Sequence, residues 1–202
     1  MSIESEIKSQ YEEIFRPDDW TTFKVAADYY LENASKLLKN DIKSADENLK
    51  LLFRNIQKRL FIGIAFEFLL KSIFLKNGYM INKRTIRDVP PGEFPFISKN
   101  INERDFSQSR TLTFNDLAQK LAKIIKLEKK KQKTVNRGVK IAKVFRNKEG
   151  HIISVAHQYV PQNYRDIEEC LKLLYSEVFN QDLSINIAFA KNELGVFDIN
   201  PI

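Results

Sequence analysis

A chain of 202 residues with 43% hydrophobic and 29% charged positions has a globular composition, which excludes global disorder despite a mean hydropathy of −0.37 and fits one domain, or one domain with an appendage, around a sizeable core. Fifteen Phe predict an aromatic core, and the longest apolar stretch, Leu60 to Leu70, is interrupted by Glu67 and falls short of the ~20 residues of a bilayer crossing, so no membrane partner is expected. The formal net charge of +7 favours polyanions through phosphate neutralisation, although an excess of this size is also common in proteins that bind none.

Ile3, Ile7, Tyr11, Ile14 and Phe15 recur at three-to-four spacing until Pro17, which predicts a short amphipathic helix over residues 3–15. A second helix starts at Trp20, capped by Asp18 or Asp19, and keeps its period through Phe23, Ala27, Leu31, Ala34 and Leu38 until Asn40-Asp41. The longest helical segment begins at Asp46 and runs through Leu52, Ile56, Leu60, Ile64 and Phe68 to Ile73, with Asn77-Gly78 as a left-handed stop. Its second half is apolar on nearly every side, which predicts a central helix packed on several faces.

Residues 79–111 lose periodicity, contain Pro90-Pro91-Gly92, and mix Lys83, Arg84, Arg87, Lys99, Arg104 and Arg110 with Phe94, Phe96 and Phe106. A connection this long is functional or mobile. Stacking of single-stranded bases and ordinary packing of Phe94 and Phe96 both stay open for it. Thr113 and Asp116 outline a capping box, after which Phe114, Leu117, Leu121, Ile124 and Ile125 carry a helix into the run Lys126 to Lys133. That run reads as a solvated helix end, with contact of Lys129, Lys130 and Lys131 to an RNA backbone as the competing reading. Val135 to Phe145 is another short periodic segment, Tyr164 to Phe179 is the last clear helix, and Leu183, Ile185, Ile187 and Phe189 alternate like a strand. The expected fold class is all-α with a short extended C-terminal tail.

The lone Cys170 excludes an internal disulfide, and Met1-Ser2-Ile3-Glu4-Ser5-Glu6 has no basic and apolar leader pattern, so a reducing cytoplasm is expected. One Cys and two His, without HExxH, paired CxxC, GxSxG, a P-loop or GxGxxG, offer no zinc site, nucleophile elbow or nucleotide loop. No metal and no cofactor are therefore expected.

What remains is Arg146, Asn147 and His151 in the run Arg-Asn-Lys-Glu-Gly-His. An imidazole titrates near neutrality and can move the proton of a ribose 2′-hydroxyl or of a leaving 5′-oxygen, while a guanidinium can hold an anionic phosphorane. On an unbroken helix five residues turn about 500°, leaving the pair roughly 140° apart, and Gly150 supplies a break. The competing reading is a surface Arg and a helix-end His in local hydrogen bonds. Asn147 is a candidate for orienting Arg146 or touching phosphate, or else an exposed filler. Glu67 is a candidate for orienting His151 or holding Arg146, against a structural i,i+4 pair with Lys71. His157 reads as a packed or surface histidine.

Arg146 and His151, with four residues between them, resemble the RxxxxH motif of HEPN (higher eukaryote and prokaryote nucleotide-binding) domains. Ala65-Phe66-Glu67-Phe68-Leu69-Leu70-Lys71 ending at Asn77-Gly78-Tyr79 resembles that family's core helix, and Thr113-Phe114-Asn115-Asp116-Leu117 its following helix start. The resemblance covers residues 45–180 and implies a HEPN-like helical bundle with a long loop 79–111, preceded by an N-terminal helical extension over 1–44 and followed by a tail over 181–202. It further implies a homodimer joining two motifs, RNA as partner, and metal-independent endoribonuclease activity that leaves a 2′,3′-cyclic phosphate. Many members are toxins or abortive-infection effectors in antiviral defence, which implies an antitoxin or regulatory protein as a further partner. Others have lost catalysis, so a catalytically inactive module binding RNA, nucleotide or protein is the alternative. Members silenced by a nucleotidyltransferase commonly carry a Tyr two residues after the motif His; Ile153 stands there, so that form of control is not expected.

Overall fold

The computed structural model describes residues 20–36, 47–84, 106–149 and 161–183. The helix expected over 3–15, most of the loop 79–111, Gly150, His151, His157 and the strand-like segment from residue 184 lie outside the described residues. The fold is all-α. Its described helices are α1 (Trp20–Lys36), α2 (Glu47–Lys76), α3 (Phe114–Ile124), α4 (Lys129–Glu149) and α5 (Pro161–Phe179). Between α2 and α3 lies a small antiparallel ribbon of β1 (Asn82–Arg84) and β2 (Phe106–Thr111).

The helix ends follow local chemistry. Gly78 takes φ +78°, its amide donates to Leu75 O at 2.9 Å and the Tyr79 amide donates to Phe74 O at 2.9 Å, a Schellman closure that satisfies the last carbonyls of α2. At the start of α3 the Thr113 hydroxyl oxygen accepts from the Asp116 amide at 3.3 Å, and the Thr113 amide donates to Asp116 Oδ2 at 2.9 Å. The capping box is thus complete with Asp in the Glu position. Pro161 occupies the first turn of α5, where its missing N–H costs nothing, and Asn180, at φ 52°, ends that helix in the left-handed region.

Two boundaries differ from the sequence expectation. The run Lys126–Lys133 does not end a helix: α3 stops at Ile124, Ile125 turns extended, and a new helix starts at Lys129. No Gly or Pro marks the break; it comes where Ile124 and Ile125, adjacent in sequence, are both buried. The segment Val135–Phe145 is accordingly the middle of one 21-residue helix. The long connection 79–111, expected without regular structure, is closed at its base by the ribbon, with Asn82 opposite Thr111, Arg84 opposite Phe106, and a shift of register between them.

The described residues fall into two compact units, the first holding residues up to Tyr29 with Ile64–Glu128, the second Tyr30–Gly63 with the residues from Lys129 onward. In the first, Ser72 donates to Trp20 O at 2.8 Å, Phe23 meets Phe68 with centroids 6.1 Å apart, and Lys76 Nζ lies 4.2 Å from the Trp20 ring centroid. The start of α1 therefore runs antiparallel to the end of α2. Leu70 to Leu75, Lys71 and Ser72 included, are buried without interruption, a run that covers every side of a helix, as expected for a central helix packed on several faces. Leu117 and Leu121 of α3 add to this core.

In the second unit, Lys131 meets Glu177, Gly138 meets Cys170 and Phe145 meets Tyr164, so α4 and α5 form an antiparallel pair. The pair is very close at its middle. A Cβ on Gly138 would collide with Cys170 Cβ and lie 2.9 Å from Asp166 O, so only glycine fits. Cys170 is fully buried there, and its Sγ lies 3.5 Å from Val135 O.

Burial pushes the Cys170 thiol well above its ordinary range, outweighing the lowering by a backbone hydrogen bond. An unfolded thiol ionises near pH ~8.5, whereas the folded one keeps its proton, so folding loses stability as pH rises above that point, by up to ~1.4 kcal/mol per pH unit. Urea midpoints measured between about pH 7 and about pH 9.5 should fall more steeply for the native protein than for Cys170→Ala. Equal slopes would place the thiol in water.

Candidate functional site

The described part of the candidate site is the C-terminal half of α4. Val135, Val139, Ala142 and Phe145 recur at three-to-four spacing and are buried, which sets the inward face of this helix. Arg146 continues that line one turn after Ala142 and lies at its edge, partly exposed. Asn147, a further ~100° round the helix, is exposed.

Arg146 is placed by its backbone. A Cβ on Gly63 of α2 would lie 2.6 Å from Arg146 N, 2.7 Å from Arg146 Cα and 2.9 Å from Arg146 Cβ. Backbone atoms cannot rotate away, so α2 and α4 reach this separation only because position 63 has no side chain. Ile62 beside Gly63 is fully buried, and the turn before it carries Lys58 and Arg59, both buried cations engaged with other groups. Arg146 is likewise engaged. Buried cations of this kind persist only with compensating partners.

The charge of α4 is one-sided over its whole length. Its 21 residues hold nine Lys or Arg and one acid, Glu149, an excess of +8, which is more than the +7 of the entire chain. The rest of the protein is near neutral, so the basic balance seen in the sequence is the property of one helix. Two of these cations turn toward α5: Lys131 pairs with Glu177 at 2.7 Å, and Arg137 Nη1 donates to Asp166 Oδ1 at 3.0 Å. Asp166 is buried and also accepts from Gln162 Nε2 at 2.9 Å, which satisfies its carboxylate.

Of the residues singled out from sequence, Arg146 and Asn147 stand adjacent on α4, and His151 lies outside the described residues. Glu67 belongs to the first unit, where its Oε1 lies 3.2 Å from Lys71 Nζ. That is the i,i+4 pair weighed against a site role, and Lys71 Nζ also stands 5.7 Å from the Phe68 ring centroid. Among the described residues no three His, Cys, Asp or Glu groups gather in a way that could hold a metal ion, and no helix is long and apolar enough to cross a membrane. Gly63 and the Arg137–Asp166–Gln162 cluster escaped the sequence reading. An isolated glycine inside an otherwise apolar helix was the available signal for the first.

No protein-family model, curated protein or solved structure matches this chain.

Gly63→Ala discriminates a close crossing from an ordinary helical glycine. In a roomy helix the change stabilises by about 0.5–1 kcal/mol; here the inserted Cβ should reverse the sign and destabilise by about 1–3 kcal/mol, the range for overpacking. Chemical denaturation decides between the two signs.

Proposed function

We propose that this chain is a metal-independent endoribonuclease of HEPN type, with His151 as acid and base and Arg146 as the group that stabilises phosphate charge. The observation that supports it best is the clamp at Gly63, which fixes the backbone of Arg146 near the end of the most basic of the described helices. The clamp fixes where the Arg146 side chain leaves the helix, and from there its guanidinium can offer positive charge to an anionic phosphorane.

In the reaction, an imidazole takes the proton of the ribose 2′-hydroxyl, whose oxygen attacks the adjacent phosphorus. The P–O5′ bond breaks, and the 5′-oxygen leaves with a proton from an imidazolium. The products are a 2′,3′-cyclic phosphate and a 5′-hydroxyl, with no change of oxidation state and no metal. A homodimer would supply two His151 side chains, one for each proton transfer. Asn147, exposed beside Arg146, is the supporting residue of this reading. The biological role is then that of a toxin or abortive-infection effector acting on RNA in the cytoplasm, restrained by an antitoxin or regulatory protein.

A second reading draws on the same crossing. Gly63 gives the position of Arg146 a structural reason independent of catalysis, which favours an inactive HEPN-like module that binds RNA, nucleotide or a protein partner.

Purified protein should cleave single-stranded RNA in EDTA and leave cyclic-phosphate ends, while an all-deoxy strand stays whole. His151→Ala and Arg146→Ala should each reduce the rate by ~10²-fold or more with the helical circular-dichroism signal unchanged. Intact RNA after prolonged incubation with folded protein, or undiminished cutting by both variants, rejects the nuclease in favour of the inactive module or a contaminant.

A further inference from the structure

Among the described side chains of α4, every exposed one is Lys, Arg or Asn. At 100° per residue, Lys129, Lys133, Asn136, Lys140 and Asn147 fall within about 60° of one another, a straight stripe roughly 27 Å long at 1.5 Å rise per residue. The stripe faces away from buried Val135, Ala142 and Phe145, and it ends at Asn147, next to Arg146 in sequence. Arg137, which borders it, is turned into an ion pair with Asp166 of α5.

We propose that this stripe is a track for the phosphate backbone of single-stranded RNA, leading the strand along α4 to Arg146. The proposal rests on the RNA reading above and adds where the strand lies. The chemistry of the face selects the occupant. Ammonium groups at intervals along a line, separated by amides and free of carboxylates, match a linear polyanion whose charges repeat at short intervals. A membrane surface needs an apolar face to insert, and the apolar face of α4 is already buried. A protein partner would need an aromatic or aliphatic anchor, and among the described side chains of this helix none is exposed. A single strand, unlike a duplex, leaves the ribose free to reach in-line geometry, which the cleavage chemistry requires.

The experiment measures binding of a labelled 2′-O-methyl oligouridine, which cannot be cut, to the full chain as a function of salt. Lys129→Gln, Lys133→Gln and Lys140→Gln combined should weaken binding by about tenfold or more and reduce the salt slope by about 2, since each single-strand phosphate contact contributes ~0.7. Because all three side chains are exposed, the melting temperature should not change, and it is measured alongside. An unchanged affinity and slope in the triple variant overturns the proposal, as does failure of the native protein to bind the oligouridine. Binding of polyglutamate in its place overturns it in favour of an acidic protein partner. If the slope falls as expected but natural RNA is never cut, the track stands and the nuclease reading alone fails.

Discussion

Backbone-to-backbone contact between Gly63 and Arg146 is the constraint on which the second unit depends. A helix that approaches another so closely cannot slide or rotate without meeting main-chain atoms, which have no rotamers in which to retreat. The same helix is pinned on its α5 side by Gly138, whose missing side chain admits Cys170 and the carbonyl of Asp166. With α4 held at two glycines, one of which receives its neighbour and one of which it contributes, the rotation of the helix about its axis is set. Phe145 points inward, Asn147 outward, and Arg146 lies between them.

That rotation decides how the charge is used. Nine cations on one helix repel one another, and a first turn of Lys129, Lys130 and Lys131 opposes the helix dipole. Part of the repulsion is relieved by α5, which offers Glu177 to Lys131 and Asp166 to Arg137. The exposed members of such pairs contribute little to stability, because water screens them. For buried Asp166 the matter is different: without Arg137 and Gln162 its carboxylate would be desolvated and uncompensated. Lys129, Lys130, Lys133 and Lys140 are exposed to water. A charge arrangement that costs folding free energy is characteristic of a surface kept for a ligand.

Much of the fold was legible because its signals are local. Periodicity located every described helix, Asn77-Gly78 foretold the Schellman closure, and Thr113 with Asp116 foretold the capping box even with the shorter acid. The break after Ile124 was not legible, since no residue there is one that cannot be helical and Ile125 simply turns extended. The ribbon of β1 and β2 was missed for a related reason: its two strands are short and lie more than twenty positions apart, so neither carries a pattern alone. At the site, the sequence singled out Arg146 and Asn147 by chemistry but could not supply Gly63, whose role exists only once another helix crosses it. Glu67 stood out as a carboxylate in an apolar run, and its described partner is the nearby Lys71. Nor does composition say where charge resides; the excess of +7 reads as a diffuse property until the helix bounds show it gathered on α4.

The crossing itself is open to direct observation in solution. In uniformly labelled protein, the two Hα protons of Gly63 occupy the space next to the amide of Arg146, so a nuclear Overhauser spectrum should show a strong cross-peak between them. A spectrum in which Gly63 and Arg146 are both assigned and that cross-peak is missing would separate α2 from α4 and remove the support for the placement of the guanidinium.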